Sequence, residues 1–147
     1  MSVEVNKGWE NITNHSLLIV WKPEYNLGIH IIDEQHRGIV AIINTLHFGM
    51  QHRRGVRLLK PVIEMVYDYS QTHFEMEEDF LKKCRYPDFD SHLALHRSLL
   101  QDQKRMARES IGSNDEMKFM NFLKHWWINH ICEKDMAFKN YLTKMNT

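Results

Sequence analysis

Four stretches of this sequence repeat apolar residues with the spacing of an α-helix, and a histidine interrupts the apolar stripe of each one. The first stripe carries His36, the second carries His73, the third carries His92 and His96, and the fourth carries His130. Side chains with this spacing share one face of a helix, so the sequence predicts an all-α protein with imidazoles in its core. The first stripe comprises Ile32, His36, Ile39, Ile43, Leu46 and Met50.

The breaks between the stripes contain residues that begin or end helices. Arg53–Gly55 ends the first helix, for which Asp33 is the expected N-cap. Pro61 is tolerated in the first turn of the second helix, which stops at the RYPD sequence of residues 85–88. Ser113–Glu116 matches a capping box for the fourth helix. Because such short connections make consecutive helices antiparallel, the sequence predicts an up-down-up-down four-helix bundle.

The N-terminal residues have no helical pattern and are expected to form an irregular arm. We assign residues 1–20 to an N-terminal extension and residues 21–147 to one helical domain. Trp21 and Tyr25 are expected to pack across an end of the bundle. A length of 147 residues with 43% hydrophobic residues is typical of a single globular domain.

Charge and cysteine content narrow the classes of function. The chain has 19 basic and 19 acidic residues, which disfavours nucleic acid or an anionic membrane as its partner. Its longest apolar run, Leu17–Trp21, is too short to insert into a membrane. Cys84 and Cys132 form neither a CxxC pair nor a disulfide framework, so we expect a cytoplasmic location. With zero net charge and no clear apolar outer stripe, we expect a monomer.

Two carboxylates accompany the histidines on the inward stripes. Glu77 follows His73 by one turn, and Asp135 follows His130. Taken singly, each histidine is typical of a satisfied core residue, and Glu77 is typical of a solvated acidic patch. Their combination in one core instead favours a metal site, because buried carboxylates are strongly destabilising unless a counter-charge or a metal compensates them.

The chemistry of these donors favours two transition-metal ions. Imidazole combined with carboxylate suits iron, manganese or zinc rather than calcium or magnesium. The number of donors also exceeds what one four-coordinate zinc ion needs. The candidate metal ligands are His36, His73, Glu77, His92, His96, His130 and Asp135.

The spacing of His130 and Asp135 conflicts with a regular helix. Side chains five residues apart on an α-helix point about 140° apart. The inward pattern nevertheless resumes at Asp135, Phe138 and Leu142, shifted by one residue. We therefore predict a π-bulge between His130 and Asp135, a feature that often occurs at functional sites. The rival carboxylate is Glu133, and alanine substitution of each acid would separate the two.

These residues resemble the motifs of the hemerythrin family, most of all those of its single-domain bacterial branch, the bacteriohemerythrins. The resemblance covers about Trp21 to Leu142 and draws on all four predicted helices. All seven ligand positions of the family hold the expected residue type, in order and spacing, which is far more specific than one short motif. The matching residues are Trp21, Tyr25, Gly28, Ile32–His36, His73–Glu78, Tyr86, Pro87, His92–His96, Trp126–His130 and Asp135.

The resemblance implies a non-haem di-iron centre that binds dioxygen. In the family, an oxo or hydroxo group and two carboxylates bridge the irons, and dioxygen binds reversibly as a peroxide at the five-coordinate iron. The resemblance therefore implies a function in oxygen storage, delivery or scavenging. The implied ligands are His92, His96 and His130 for one iron, His36 and His73 for the other, and Glu77 and Asp135 as bridges.

The resemblance also implies an oxygen pocket, with Ile39, Trp126 and Trp127 as its lining. Trp127 departs from the family pattern, which commonly has leucine at this position. A tryptophan there would constrict the pocket, slow the binding of ligand, or swing outward and leave the pocket unchanged.

Two other functions remain open from the sequence. One is an oxygen or redox sensor that acts through a partner, and the other is a di-iron enzyme that acts on peroxide or nitric oxide. We favour an oxygen-binding protein over an enzyme. Its expected partners are dioxygen and a reductase or an oxygen-consuming enzyme.

Overall fold

Four long helices and one short 3-10 helix, Pro23–Tyr25, make up the secondary structure of the described residues, among which no strand occurs. The computed structural model describes residues 17–52 and 55–145. Consecutive helices pack against each other, and the fourth also contacts the first, which closes an up-down-up-down bundle and confirms the predicted fold. The helices are α1 (His30–Gln51), α2 (Gly55–Lys83), α3 (Phe89–Ser113) and α4, a continuous helix with segments Glu116–Trp126, Trp127–Lys134 and Asp135–Met145.

The start of α1 differs from the expected one. The helix begins at His30, so Asp33 lies inside its first turn and is not the N-cap. The Asp33 carboxylate instead accepts hydrogen bonds from the backbone N–H groups of Leu27, at 2.7 Å, and Gly28, at 3.1 Å. Gly28 has a φ of +88°, which favours glycine. Asp33 therefore fixes the chain that leads into α1.

The expected signals at two other helix starts are also wrong in detail. α2 begins earlier than expected, so Pro61 lies inside the helix. Ser113 ends α3, and Asn114 follows it with a left-handed φ of 55°. The N-cap of α4 is Asp115, whose carboxylate accepts a hydrogen bond from the N–H of Lys118 at 3.1 Å. The capping box predicted for Ser113 therefore does not form.

Part of the arm that precedes α1 packs on the bundle. The predicted extension lies outside the described residues over positions 1–16, as do positions 53–54 of the predicted break between the first two helices. The ring of Trp21 lies 5.8 Å from that of Trp127, and the ring of Tyr25 lies 5.6 Å from it. The arm therefore helps to bury Trp127 of α4.

Helices α1 and α2 are in tight contact near the polar cluster. A Cβ atom at Gly38 would overlap the hydroxyl of Tyr69, so only glycine fits here without movement of the tyrosine. This contact lies two residues from His36 and four from His73 along their helices. In the same region, the Nε2 atoms of His36 and His73 are 3.1 Å apart.

Within the described residues, the apolar core has two parts, and the polar cluster contacts both of them. The larger part includes Ile43, Leu46 and Phe74, and the smaller part includes Tyr86 and Phe138. Apolar residues therefore surround the polar cluster on two sides. Among the described residues, no helix has the length and hydrophobicity needed to cross a membrane.

Candidate metal centre

All seven residues predicted to bind metal form one buried cluster inside the bundle. His92 is the most exposed of them, at 6%, and the others are at most 1% exposed. The cluster draws on every helix, so its formation depends on the whole fold. Its members are His36 from α1, His73 and Glu77 from α2, His92 and His96 from α3, and His130 and Asp135 from α4.

The donor atoms of the cluster divide into two groups that share Glu77. Within each group, the donor atoms lie within 4.8 Å of one another, which is close enough for one metal ion to contact them all. We call them the three-histidine group and the two-histidine group. The first contains Glu77, His92, His96 and His130, and the second contains His36, His73, Glu77 and Asp135.

Glu77 directs its two carboxylate oxygens toward different groups. Its Oε1 lies 2.6 Å from Nε2 of His92 and 3.2 Å from Nε2 of His96. Its Oε2 lies 3.4 Å from Nε2 of His73 and 3.9 Å from Nε2 of His36. One carboxylate can therefore contact a cation in each group.

Asp135 is divided between the groups in the same way. Its Oδ2 lies 3.1 Å from Nε2 of His36 in the two-histidine group. Its Oδ1 lies 3.4 Å from Nε2 of His92 and 3.7 Å from Nε2 of His130 in the three-histidine group. Both buried carboxylates are therefore placed between the two sets of imidazoles.

A π-helix over Trp127–Lys134 brings Asp135 to the cluster, as the five-residue spacing predicted. The N–H of Asp135 donates to the carbonyl oxygen of His130, five residues earlier. The wider turn places both side chains on the inner face of α4, where each is at most 1% exposed. Glu133, the rival carboxylate, is exposed and lies outside the cluster.

The chemistry of the donor atoms suits bound transition-metal ions better than it suits a protein core without metal. Three of the cluster's carboxylate oxygens and two of its Nε2 atoms have no hydrogen-bond partner within the described parts of the chain. Buried polar atoms without partners are strongly destabilising, and a cation would compensate them. Imidazole and carboxylate together suit iron, manganese or zinc. The atoms are Oε2 of Glu77, Oδ1 and Oδ2 of Asp135, and Nε2 of His96 and of His130.

The histidines keep both carboxylates ionised. Burial opposes ionisation of Glu77, but the neighbouring imidazoles of His73, His92 and His96 outweigh it and hold the pKa of this carboxyl well below its usual value. The pKa of Asp135 is also lowered, because the surrounding imidazoles outweigh burial and the repulsion of Glu77. Ionised carboxylates are the form that binds metal.

Metal binding is expected to release a proton near neutral pH. Burial lowers the pKa of His92, but the neighbouring carboxylates of Asp135 and Glu77 outweigh it and raise this pKa to about 9. Burial lowers the pKa of His130 to about 4, so that imidazole is already neutral. Because a metal must displace the His92 proton, affinity should rise about tenfold per pH unit from neutrality and level off above about pH 9.

Calorimetric titration of the metal-free protein with Zn²⁺ measures this effect. Buffers with different ionisation enthalpies report the number of protons released. The control is His92→Gln, in which the dependence on pH should largely disappear. An affinity of the unsubstituted protein that stays constant from neutral pH to about pH 9 would contradict the expected proton release.

The three residues expected to line an oxygen pocket are buried, and the two tryptophans among them lie beside cluster histidines. Ile39 and Trp127 are 1% exposed and Trp126 is 3% exposed. The ring of Trp127 lies 6.2 Å from that of His36, and the ring of Trp126 lies 6.0 Å from that of His130. Trp127 therefore points inward, and the outward orientation considered for it is excluded.

Two polar residues behind the histidines were missed by sequence analysis. Oε1 of Gln35 lies 2.8 Å from Nδ1 of His73, and Oε1 of Glu78 lies 2.8 Å from Nδ1 of His96. Each is the chain neighbour of a cluster residue, in the sequences IDEQH and HFEMEE. Outer partners of metal-binding histidines are common, so this adjacency marks both residues as candidates, but it does not indicate which histidine each one contacts.

The remaining histidines lie outside the cluster. His30 and His125 are exposed, and His47 and His52 are partly buried. None of these four belongs to a group of potential metal donors in the described chain. His15, which was also expected to have no ligand role, lies outside the described residues.

The bundle and its two donor groups define a class of protein: a four-helix protein with a histidine- and carboxylate-rich centre positioned to hold metal. The hemerythrin HHE cation binding domain matches residues 27–142 of the chain. The chain therefore belongs to the hemerythrin family. Family membership indicates a di-iron, oxygen-binding protein.

Individual relatives agree with this assignment. The bacteriohemerythrin of Stenotrophomonas maltophilia is 32% identical over 125 residues, which cover 82% of this chain and 79% of the relative. A bacteriohemerythrin of Pseudomonas aeruginosa is 32% identical, with 82% and 78% covered. The hemerythrin-like protein of Naegleria gruberi is 30% identical over 122 residues, with 83% and 92% covered. These relatives match the chain over most of its length.

Proposed function

We propose that this protein binds dioxygen reversibly at two iron ions held by the seven clustered residues, for oxygen storage, delivery or scavenging. The observation that carries the proposal is that Glu77 and Asp135 each direct one oxygen to each donor group. Carboxylates divided in this way suit two neighbouring cations that they bridge together with an oxo or hydroxo group. When bound, the iron pair supplies the electrons and the open coordination position that dioxygen needs.

The unequal donor groups support binding of dioxygen at one position. With both carboxylates shared, one group offers three histidines and two carboxylates, whereas the other offers His36 and His73 with the same carboxylates. The two-histidine group therefore has one protein ligand fewer. We infer that the two-histidine group keeps a position for an exogenous ligand.

Apolar side chains around the cluster would exclude water from that position. Trp127 lies beside His36, and Phe74 stacks on His96 at 4.0 Å between ring centroids. Ile39 is buried on α1, one turn after His36. A hydrophobic shell controls solvent access at metal sites, which protects bound ligand from stray protons.

Admission of air to the anaerobically reduced, iron-loaded protein tests the proposed function. We expect a visible absorption band that persists in air and disappears when the sample is evacuated. Immediate decay to the oxidised form, with turnover of added peroxide or nitric oxide, would contradict a carrier and favour the enzyme alternative.

Substitution of Trp127 by leucine is expected to speed the association of dioxygen. The indole lies beside His36 in the two-histidine group, and a smaller side chain would leave more room there. We expect a roughly tenfold faster association, which corresponds to ~1.4 kcal/mol of steric barrier. Stopped-flow mixing of the reduced protein with oxygenated buffer measures the rate.

The matched control is Trp126→Leu at the next position in the chain. Trp126 stacks on His130 in the three-histidine group, so its substitution should change the association rate much less. Equal rates in both variants and in the unsubstituted protein would contradict a gating role for Trp127. A larger effect from Trp126→Leu would place the open position on the other group.

The remaining proposals concern the surroundings of the protein. A carrier whose iron is occasionally oxidised needs an electron donor, and a carrier that delivers oxygen needs a protein that uses it. We therefore propose a reductase or an oxygen-consuming enzyme as its partner. Cys84 and Cys132 are free cysteines, which suits a cytoplasmic location. We also propose that the protein is a monomer.

A further inference from the structure

We propose that Glu78 and Gln35 are positioning residues that make the two donor groups chemically unequal. Glu78 strengthens His96 as a donor in the three-histidine group. Gln35 orients His73 in the two-histidine group without adding negative charge. This inference rests on the proposed metal-binding role of His73 and His96.

The first observation is the contact between Gln35 and His73. Nδ1 of His73 lies 2.8 Å from Oε1 of Gln35, an atom that can only accept a hydrogen bond. The amide nitrogen of Gln35 donates to Sδ of Met76, which leaves Oε1 facing the imidazole. Nδ1 of His73 therefore carries the hydrogen. Its Nε2, 3.4 Å from Oε2 of Glu77, then has a free lone pair directed into the cluster.

The second observation is the contact between Glu78 and His96. Nδ1 of His96 lies 2.8 Å from Oε1 of Glu78, and its Nε2 lies 3.2 Å from Oε1 of Glu77. The two adjacent glutamates thus face opposite edges of one imidazole. The Glu78 side chain is 24% exposed, so it reaches His96 from the rim of the cluster.

Two other histidines of the groups, His36 and His130, lack such support. The Nδ1 atoms of His36 and His130 have no hydrogen-bond partner in the described residues. The two-histidine group thus has an amide behind His73 and none behind His36. The three-histidine group has a carboxylate behind His96 and none behind His130.

The chemical difference between the two outer partners predicts unequal metal sites. A carboxylate that accepts the Nδ1–H bond increases the electron density that imidazole gives to a metal, whereas a neutral amide fixes the tautomer with less effect. Glu78 should therefore stabilise the higher oxidation state of a metal bound to His96. A metal bound to His73 should have the higher reduction potential.

Two nearly isosteric variants test the charge of the partners. Glu78→Gln keeps an acceptor beside His96 and removes its charge, so the reduction potential of that iron should rise. Gln35→Glu adds charge beside His73, so the potential of the other iron should fall. Spectroelectrochemical titration measures the potentials, and Mössbauer spectra of protein loaded with iron-57 should show that each substitution alters a different iron.

The matched controls make the same charge changes on exposed positions of α2. They are Glu75→Gln and Gln71→Glu, both of which are exposed and outside the cluster. The controls should leave potentials and Mössbauer parameters unchanged. A change in the controls equal to that in Glu78→Gln and Gln35→Glu would overturn the inference, because general charge would then explain the effect.

Measurement of Zn²⁺ affinity separates the effect of holding the imidazole in position from the effect of the partner's charge. Gln35→Leu and Glu78→Leu remove the acceptors, so Zn²⁺ affinity measured by calorimetry should fall by about 10- to 100-fold. Glu78→Gln should restore most of the affinity while leaving the raised potential. A merely structural role would not separate affinity from potential in this way, so parallel changes in both would overturn the inference.

The outcomes also distinguish this inference from the proposed function. If the unsubstituted protein binds two irons but Glu78→Gln and Gln35→Glu behave like their controls, the inference fails and the proposed function stands. If the unsubstituted protein does not bind two irons, the proposed function fails first and the positioning roles fail with it.

Discussion

Replacing Asp135 by alanine is expected to reduce bound iron from two ions per chain to one or fewer. The side chain is fully buried, and its two oxygens face different donor groups, so the change removes a ligand from both metals. The neighbouring Glu133→Ala provides a matched control, because Glu133 is exposed. Elemental analysis of anaerobically loaded, desalted protein measures the iron content.

The two alanine variants decide which carboxylate α4 contributes. Glu133→Ala should retain the iron content of the unsubstituted protein. Loss of iron from Glu133→Ala with retention in Asp135→Ala would mean that the π-helix of Trp127–Lys134 does not bring Asp135 to the metals. Equal content in all three proteins would remove both acids from the ligand set.

Removal of the metal is expected to destabilise the fold strongly. The empty cluster contains two buried carboxylates among imidazoles, and bound cations would compensate these groups. A metal present at a thousand times its dissociation constant stabilises the folded state by about 4 kcal/mol. For a chain of this size, that corresponds to a melting temperature lower by roughly 8–16 °C after chelation. Differential scanning calorimetry with and without chelator measures the difference.

The Asp135→Ala protein serves as the control for chelation. Because it should already have lost at least half of its metal, a chelator should lower its melting temperature by clearly less than that of the unsubstituted protein. An unsubstituted protein that melts at the same temperature with and without chelator would contradict a metal contribution to folding.

Much of the fold and of the cluster follows from local spacing in the sequence. Ile39, Ile43 and Leu46 share a helical face by their spacing alone, and all three are buried as that spacing requires. The same reasoning applies to His130 and Asp135. Their mismatch with a regular helix predicted the π-helix, because only a wider turn places both on one face.

Other features are side-chain contacts between different helices, and the residue spacing within a single helix does not predict them. Gln35 and Glu78 lie beside cluster residues in the chain, but their contacts depend on the rotation of α1 and α2 against the other helices. The inward orientation of Trp127 likewise depends on contacts with Trp21 and Tyr25 from the arm. The orientations of these three side chains therefore depend on packing between residues far apart in the sequence.

Helix ends were predicted less well because several polar residues compete at each boundary. Ser113, Asn114 and Asp115 can all cap a helix, and spacing alone does not rank them. In the structure, Asn114 takes the left-handed conformation that ends α3, which leaves Asp115 to start α4. Similarly, the Asp33 carboxylate does not cap α1 but accepts hydrogen bonds from the N–H groups of Leu27 and Gly28.

Anomalous X-ray diffraction at the iron edge, from crystals of protein loaded with ferrous iron under argon, tests the central claim most directly. The proposed function predicts two anomalous peaks per chain, one among His92, His96 and His130 and one beside His36 and His73. A single peak, or iron bound away from these imidazoles, would contradict it.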